Sequence, residues 1–140
     1  MKFKQLSLFL ENKPSQLKKP CAALAEAGIN IRALSLADSE KFGIMRLIVD
    51  DWEQGQRVLE AADCVVKVTE VVAIQVDDHP GGLAKLLSAL ETGGHAIEYM
   101  YAFSALRAGR AVLFFRFVDT DAALATLQAQ GIPVLAPVDL

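Results

Sequence analysis

The chain carries an internal repeat. The segment at residues 12–31, NKPSQLKKPCAALAEAGINI, returns at residues 78–97 as DHPGGLAKLLSALETGGHAI. The positions identical in the two copies are Pro14 and Pro80, Leu17 and Leu83, Lys19 and Lys85, Ala23 and Ala89, Leu24 and Leu90, Gly28 and Gly94, and Ile31 and Ile97. Most of these residues set backbone conformation or fill a core, so the repeat indicates two copies of one structural unit. We expect the units at residues 1–70 and 71–140, each near the smallest size that folds alone.

Each copy has the hydrophobic pattern of a strand, a helix, two strands, a second helix and a final strand. Apolar residues alternate with other residues at 6–10 and 72–76, which predicts a strand before each proline turn. The helices that follow are predicted to end at Gly28 and Gly94, since glycine readily adopts the left-handed conformation that ends a helix. The remaining predicted elements are hairpins of residues 31–37 with 43–49 and 97–103 with 111–118, helices after Asp51 and Asp121, and final strands at 64–68 and 132–135. This order predicts an α+β protein with a ferredoxin-like βαββαβ fold in two tandem copies, with antiparallel sheets and both helices on one face.

Pro20 interrupts the first predicted helix. A proline inside a helix lacks the N–H for the hydrogen bond to the residue four positions earlier, whereas a proline at the first position is tolerated. We therefore expect a delayed or kinked start to this helix. The second copy has Leu86 at the same position and should not share this feature.

The composition indicates a compact protein with a substantial core, because 53% of its residues are apolar and 22% are charged. The net charge of −3 argues against nucleic acid as a partner, since phosphate binding requires clustered positive charge. No apolar run reaches the roughly 20 residues of a membrane span, and the apolar stretch near the start is too short for a secretory signal. We therefore expect no membrane partner and a cytoplasmic location. Because each copy is small, a shared apolar face and a homodimer are expected by default.

No pattern in the chain predicts catalysis or a bound cofactor. Cys21 and Cys64 lie apart among apolar residues, without metal-ligand spacing, and are expected to be buried free thiols. Asp77, Asp78 and His79 form the one cluster of acids with an imidazole, but consecutive residues of an extended segment point to different sides. No nucleophile-elbow motif is present. We expect a protein that is not an enzyme and that uses no metal and no cofactor.

An aromatic row is predicted on one face of the second copy. Tyr99, Tyr101 and Phe103 alternate onto one side of a strand, opposite the side taken by Met100. In a sheet whose helices cover one face, this row needs a cover, which favours packing against the other copy or against a second chain. Stacking on RNA is disfavoured because the flanking basic residues are missing.

Arg46 and Arg116 fall within predicted strands among apolar residues. An ion pair or a strand-edge position would satisfy either guanidinium. A clamp on a ligand carboxylate is the alternative, since arginine binds a carboxylate through two parallel hydrogen bonds. The sequence leaves both open.

The motifs at the two turns resemble those of the ACT domain, a small-molecule-sensing module of enzymes and regulators of amino-acid metabolism. The resemblance lies in ENKPSQL at 11–17 with GINI at 28–31, and in DDHPGGL at 77–83 with GHAI at 94–97. The same two motifs recur at the same internal spacing and in the same predicted topology, and together they cover the whole chain. The chain is thus similar to stand-alone tandem ACT proteins, which have no catalytic domain.

The resemblance implies ligand sites at the turns. In ACT domains, ligands bind where the turn after the first strand and the start of its helix meet the beginning of the second strand, commonly at a domain interface. A helix start offers unpaired N–H donors and a positive dipole end to a carboxylate, and small residues allow close approach to the backbone. The implied ligand-binding residues are Asn12, Ser15, Gln16, Leu17, Asn30 and Ile31 in the first copy and Asp78, Gly81, Gly82 and Leu83 in the second.

The two copies differ at the polar positions of this implied site. Asn12 and Asn30 match positions that hold side-chain ligand contacts in some ACT domains, and their carbonyl oxygens suit an ammonium group. The second copy has Asp78 and Ala96 there, so it keeps a charge for the ammonium and loses one polar contact. The same residues are also good turn formers, which leaves a purely structural role as the alternative for each.

The sequence therefore predicts a non-enzymatic regulatory protein that binds a small ligand, an amino acid, at the strand-to-helix turns. The alternative is a protein-interaction scaffold or regulatory subunit that binds no ligand and uses the aromatic sheet face to bind another protein.

Overall fold

The computed structural model describes residues 2–107 and 109–139. The elements of the first half are β1 (Phe3–Glu11), α1 (Pro14–Glu26), β2 (Ile31–Ser39), β3 (Phe42–Val49) and α2 (Trp52–Ala61). Those of the second half are β4 (Val66–Asp77), α3 (Gly82–Thr92), β5 (Ile97–Arg107), β6 (Arg110–Phe117), α4 (Thr120–Ala129), β7 (Val134–Leu135) and a 3₁₀ helix at Pro137–Asp139. The chain forms two compact units, here called the N-terminal unit (residues 4–69) and the C-terminal unit (residues 70–139 with residues 2 and 3).

The N-terminal unit is an antiparallel sheet with α1 and α2 packed on one face. Its strands lie in the order β2-β3-β1, with β4 next to β1. The leucines that alternate along β1 supply the core, and the register pairs Leu6 with Leu47 and Leu8 with Met45. The buried core residues of this unit are Leu6, Leu8, Leu24, Ile29, Met45, Leu47, Val49 and Leu59. Their removal from water, at about 25 cal/mol per Å² of apolar surface, is the main force that holds the helices on the sheet.

The C-terminal unit repeats this arrangement in the order β7-β4-β6-β5. The stacked rings of Phe115 and Phe117, 5.5 Å apart, lie at the centre of its core. Leu90 from α3 and Leu127 from α4 pack on the same side of the sheet and are buried. Strand, helix, strand, strand, helix and strand therefore occur twice. The predicted α+β class and the tandem ferredoxin-like fold are confirmed.

Most predicted element ends lie within a few residues of the observed ones. Gly28 and Gly94 follow α1 and α3 with φ of 72° and 68°, as predicted for glycines that end helices. The final strand of each unit begins later than predicted. Asp63 turns the chain with φ of 63° ahead of β4, and Pro133 has no N–H to give to the sheet ahead of β7.

The expected delay at the start of the first helix is wrong. The helix α1 begins at Pro14 and continues through Pro20 to Glu26. Pro14 occupies the first helical position, where its fixed φ suits the helix and its missing N–H costs nothing. Pro20 lies in the interior and is buried, so its ring packs in the unit while the bond from residue 20 to the carbonyl oxygen of Gln16 cannot form.

The aromatic row of β5 alternates as predicted. Tyr101 stands opposite Phe114 of β6, and the two rings stack with centroids 5.5 Å apart. Phe103 and Phe3 meet the same ring edge-on, at 6.3 and 5.4 Å. Phe114 is fully buried and forms the centre of this cluster.

Arg116 forms the ion pair that was one of its two alternatives. Its Nη1 donates a hydrogen bond to the carbonyl oxygen of Glu70 at 2.9 Å, and its Nε lies 3.6 Å from Oε2 of Glu98. Arg116 on β6 therefore contacts both neighbouring strands, β4 and β5. Arg46 is half-buried on β3, between Ser7 of β1 and Ser35 of β2.

The second helix of each unit should depend on its aspartate cap. Asp51 and Asp119 each accept a hydrogen bond at 3.1 Å, from the N–H groups of Gln54 and Ala122. We expect Asp51→Ala and Asp119→Ala each to lower the free energy of unfolding by about 1 kcal/mol, because a helix N–H loses its partner. Asp51→Asn keeps an acceptor oxygen and serves as the control with a much smaller loss. Urea unfolding followed by circular dichroism measures these changes, and equal losses for Asp51→Ala and Asp51→Asn would contradict the capping role.

Candidate functional site

The two asparagines of the predicted first site lie at opposite ends of β3. The backbone N–H of Asn12 donates to the carbonyl oxygen of Lys41 at 3.0 Å, just before β3 begins. The backbone N–H of Asn30 donates to Oδ1 of Asp50 at 3.2 Å, just after β3 ends. Because β3 is eight residues long, roughly 25 Å of extended chain separates the two positions. The structure does not bring Asn12 and Asn30 together within the N-terminal unit, and Ile31 lies at the Asn30 end.

The other predicted residues of the first copy lie near Asn12. Ser15, Gln16 and Leu17 form the first turn of α1, and the N–H groups of Gln16 and Leu17 both donate to the carbonyl oxygen of Lys13 at 3.0 Å. Ser15 and Gln16 are exposed, whereas Leu17 packs against the core. The N-cap residue Lys13 gives the helix no side-chain hydrogen bond, unlike the aspartate caps of α2 and α4.

The predicted second-copy residues form a tight turn between β4 and α3. The N–H of Asp78 donates to the carbonyl oxygen of Gly109 at 2.9 Å, as Asn12 does to Lys41 in the first copy. Gly81 has φ of 92°, which a residue with a side chain adopts only with strain. A Cβ atom at Gly82 would overlap the carbonyl oxygen of Asp77. Both glycines are therefore required by the turn, and Leu83 behind them packs against the core.

A groove opens beside the first-copy turn. It has a volume of about 240 Å³ and lies between the end of β1, the first two turns of α1 and the segment that precedes β4. Its apolar walls are formed by Leu8, Phe9, Leu10, Pro20, Phe42, Cys64 and Val65, and its polar residues are Glu11, Gln16, Lys19 and Asp63. All of them belong to the N-terminal unit. Of the residues predicted as ligand contacts, Gln16 lines this groove.

Exposed aromatic rings and charges of both signs surround this groove. Phe9 and Phe42 stack with ring centroids 5.3 Å apart, yet 60% and 42% of their surfaces remain exposed. The Glu11 carboxylate lies 2.9 Å from Nζ of Lys13, at the turn. Burial raises the pKa of the Cys64 thiol, while the positive charge of Lys19 opposes the rise. Cys64 is therefore a neutral, largely apolar part of the wall at pH 7.

The C-terminal turn has a cluster of charges instead. Nε2 of His79 lies 3.5 Å from the Asp77 carboxylate, and Nε of Arg110 lies 3.8 Å from the same carboxylate. The hydrogen bond from Nδ1 to the carbonyl oxygen of Pro80, at 3.0 Å, together with the charge of Asp77, raises the pKa of His79. All three charged side chains are about half exposed.

Among the described residues, no three or more His, Cys, Asp or Glu side chains cluster so as to hold a metal ion. Cys21 and Cys64 are free thiols and are half-buried rather than fully buried. Within the described part of the chain, no helix is both long and apolar enough to cross a bilayer.

Sequence reasoning missed most of the groove residues. Phe9, Phe42 and the segment before β4 are distant in sequence from the motifs of the turn, and strand pairing alone brings Phe42 opposite Glu11. Two signals in the sequence pointed there. Phe9 occupies a position of β1 where the alternating pattern predicts a solvent-facing polar residue. Pro20 is a residue that the interior of a helix disfavours.

The fold and these turns match one family. A family model described as the ACT domain pair covers residues 1–136. The chain belongs to the ACT domain pair family. No curated protein matches its sequence.

Solved structures show the same fold. A protein from Bacteroides thetaiotaomicron is 37% identical to this ACT domain pair and superposes with a TM-score of 0.93. The match covers 99% of this chain and 95% of the Bacteroides chain. The regulatory subunit of aspartate kinase from Thermus thermophilus, in a ligand-free form, is 22% identical, with coverage of 91% and 90% and a TM-score of 0.65. The corresponding subunit from Thermus flavus is 20% identical, covers 90% of each chain and has a TM-score of 0.60. At these lower identities the similarity concerns the fold alone.

The adjacent glycines of the C-terminal turn should differ in their tolerance of a side chain. In this ACT domain pair a Cβ at Gly81 would meet open space, so Gly81→Ala should cost only the left-handed conformation, about 1–2 kcal/mol. Gly82→Ala should cost more, because its Cβ would overlap the backbone of Asp77 and the helix would have to shift. Urea unfolding of both variants tests this order. A Gly82→Ala loss no larger than that of Gly81→Ala would show that the turn is less closely packed than described.

The pH dependence of stability should include a contribution from His79. Its pKa in the folded ACT domain pair is raised above the ordinary value of 6.5, so the folded state favours the protonated ring. The contribution is fully present below pH 6.5 and is lost as the pH rises through the folded-state pKa. Nuclear magnetic resonance titration should find the His79 pKa above 6.5, and Asp77→Asn should lower it. Asp78→Asn is the control with a smaller effect, and a folded-state pKa at or below 6.5 would contradict the contacts.

Proposed function

We propose that this ACT domain pair is a non-enzymatic regulatory protein that binds an amino acid at its strand-to-helix turns. The observation that carries the proposal is the groove beside the first-copy turn, where acidic and basic side chains border a largely apolar cavity. We also propose residues 1–70 and 71–140 as its two ACT domains and the cytoplasm as its location.

The chemistry of the groove suits a free amino acid. The ammonium of Lys19 offers a charge-assisted partner for a carboxylate, and the carboxylates of Glu11 and Asp63 offer partners for an ammonium. A volume of about 240 Å³ is below the 300–1,000 Å³ typical of sites for drug-sized ligands. A small metabolite with two opposite charges and a short side chain therefore fits this groove better than a nucleotide or a larger cofactor.

The predicted ligand contacts divide into two groups. We propose Gln16 as a direct contact in the groove, with Asn12 and Ser15 at its entrance and Leu17 fixing the helix start. Asn30 and Ile31 lie at the far end of β3 and cannot reach the same ligand within one unit. A second copy of the chain would have to supply them, which agrees with the proposed homodimer.

In the C-terminal unit the corresponding contacts are proposed at Asp78, Gly81, Gly82 and Leu83. Its helix α3 begins at Gly82 without a side-chain cap, so its first N–H groups are suited to a carboxylate. The close approach of Gly82 to Asp77 leaves less room there than at the first-copy turn.

Regulation would follow from the elements that border the groove. The ligand would contact β1, α1 and the segment before β4 at once, and so would favour arrangements in which these elements stay together. Binding can shift a conformational or assembly equilibrium only by the difference in affinity between the states. The partner that responds to this shift is a protein, in line with the regulatory subunits that share the fold.

The second candidate function is a scaffold or regulatory subunit that binds a protein and no small ligand. It is favoured by the exposed apolar residues of β2, because Leu34 and Leu36 are 49% and 43% exposed. Apolar side chains grouped on an exposed strand are typical of protein interaction surfaces. Two results together would count against this candidate. The purified wild type would be a monomer, and Leu34→Ser and Leu36→Ser would have the same solubility as the wild type.

A thermal-shift panel of the twenty amino acids tests the primary proposal. A ligand at 100 times its dissociation constant stabilises the folded state by about 2.7 kcal/mol, which should raise the melting temperature by several degrees. Lys19→Ala should abolish the rise because the carboxylate loses its partner. Lys18→Ala is the matched control, since Lys18 is exposed on the same helix and does not line the groove.

Two results would count against amino-acid binding at the groove. If no amino acid raises the melting temperature at millimolar concentration, the scaffold becomes the better explanation. If a rise is equally sensitive to Lys18→Ala and Lys19→Ala, the ligand binds elsewhere. Loss of the rise in Asn30→Ala, measured together with sedimentation of the wild type, would place Asn30 in the site through a dimer.

A further inference from the structure

Building on the proposed function, we propose that the groove of the N-terminal unit selects amino acids with apolar side chains, and that Pro20 creates its ammonium subsite. Pro20 does so by freeing the backbone carbonyl oxygen of Gln16 from the helix. Pro20 is then a specificity-determining residue, and the chain has one such site rather than two.

The freed carbonyl follows from the position of Pro20 inside α1. In a helix the N–H of each residue donates to the carbonyl oxygen four residues earlier, so the carbonyl of Gln16 should be paired with residue 20. Proline has no N–H, and its ring pushes against that carbonyl. Gln16 and Pro20 both line the groove, and residues four apart lie on one face of a helix. The residue that carries the unpaired oxygen therefore borders the cavity.

The ligand can supply a donor to this oxygen. Water can donate to it when the groove is empty, and an N–H group of the ligand can replace that water. The neighbouring Glu11 and Asp63 carboxylates make a positively charged donor the favoured one. An α-ammonium group has three N–H donors and a positive charge, and so suits acceptors of this kind. Lys19, next in sequence to Pro20, provides the positive charge for the α-carboxylate.

The rest of the cavity is suited to an apolar side chain. Leu8 and Leu10 line the groove from the face of the sheet that α1 covers, and the stacked pair of Phe9 and Phe42 lines it from the opposite face. Cys64 adds a neutral thiol. These groups offer no hydrogen bond to a hydroxyl or a charge, whereas an apolar side chain gains by covering the exposed rings, which favours apolar side chains. Leucine, valine, methionine and phenylalanine therefore represent the ligand class.

The second copy keeps the lysine of this site, as Lys85, but lacks its proline, its glutamine and its aromatic wall. Leu86 replaces Pro20 and has the N–H that pairs with the carbonyl oxygen of Gly82. Gly82 replaces Gln16 and packs directly against the end of β4. The position opposite the last β1 residue, Phe42 in the first copy, is Arg110 in the second, where it lies near Asp77. The aromatic wall and the freed carbonyl thus belong to the N-terminal unit.

Isothermal titration of the full chain with L-leucine tests the proposal. Two analogues separate its parts: 4-methylpentanoate lacks the ammonium, and 3-methylbutan-1-amine lacks the carboxylate. The wild type should bind L-leucine at one per chain, and should bind 4-methylpentanoate and L-serine at least tenfold more weakly. This comparison requires no variant, so it holds even if a substitution disturbs folding.

Pro20→Ala gives the decisive variant. Alanine restores the N–H to the helix, so the melting temperature without ligand should stay equal or rise. Affinity for L-leucine should fall at least tenfold, and the advantage of L-leucine over 4-methylpentanoate should disappear. A loss of stability alone cannot produce this pair of results, because stability and affinity change in opposite directions. Phe9→Ser, at an exposed position, should weaken the binding of L-leucine. It should leave the preference for L-leucine over 4-methylpentanoate intact.

Each contrary outcome contradicts a different statement. Unchanged leucine binding in Pro20→Ala would overturn the role of Pro20. Tighter binding of L-serine or L-lysine than of L-leucine, lost in Lys19→Ala, would overturn the apolar selectivity while the proposed function stands. Binding of two L-leucine molecules per chain would overturn the restriction of the apolar-selective site to the N-terminal unit. Failure of all twenty amino acids to bind would overturn the proposed function itself.

Discussion

The packing of the first helix of each unit on the apolar face of its first strand is the constraint on which the rest of the structure depends. Leu24 of α1 and Leu90 of α3 are almost fully buried, in cores that also contain Leu8 and Ile74. Their burial holds the helix over the strand, and the turn between them must adapt to that placement. The chemistry of the turn is therefore set by what remains between strand and helix once the core is filled.

The two copies resolve this constraint differently. In the C-terminal unit, Gly81 and Gly82 let the chain enter α3 in contact with the end of β4. In the N-terminal unit, Pro14 starts the helix two positions earlier in the repeat, and Gln16 stands where Gly82 stands in the other copy. A residue with a long side chain there is compatible with a groove and not with a closed turn. The difference between glycine and glutamine thus separates a turn that is mainly structural from one with room for a ligand.

The sequence predicts the fold well because the fold depends on local patterns that occur twice. Alternating apolar residues, a proline turn and a glycine helix end act within ten or twenty residues. Gly28 and Gly94 end their helices in the same left-handed conformation. The site was predicted less completely because it depends on register and on distant contacts. Asn12 and Asn30 look like a pair in sequence, yet the length of β3 separates them. Phe42 joins the groove through strand pairing, and Cys64 through the segment between α2 and β4, and no local pattern specifies either contact.

Pro20 shows how a local violation of helix rules can point to function. A buried proline in the interior of α1 costs the helix about 3 kcal/mol relative to alanine in peptides, and the other copy has leucine at this position. Proteins retain such conflicts between local preference and fold mainly where they serve a site. The core that fixes α1 on the sheet supplies the stability that the proline removes.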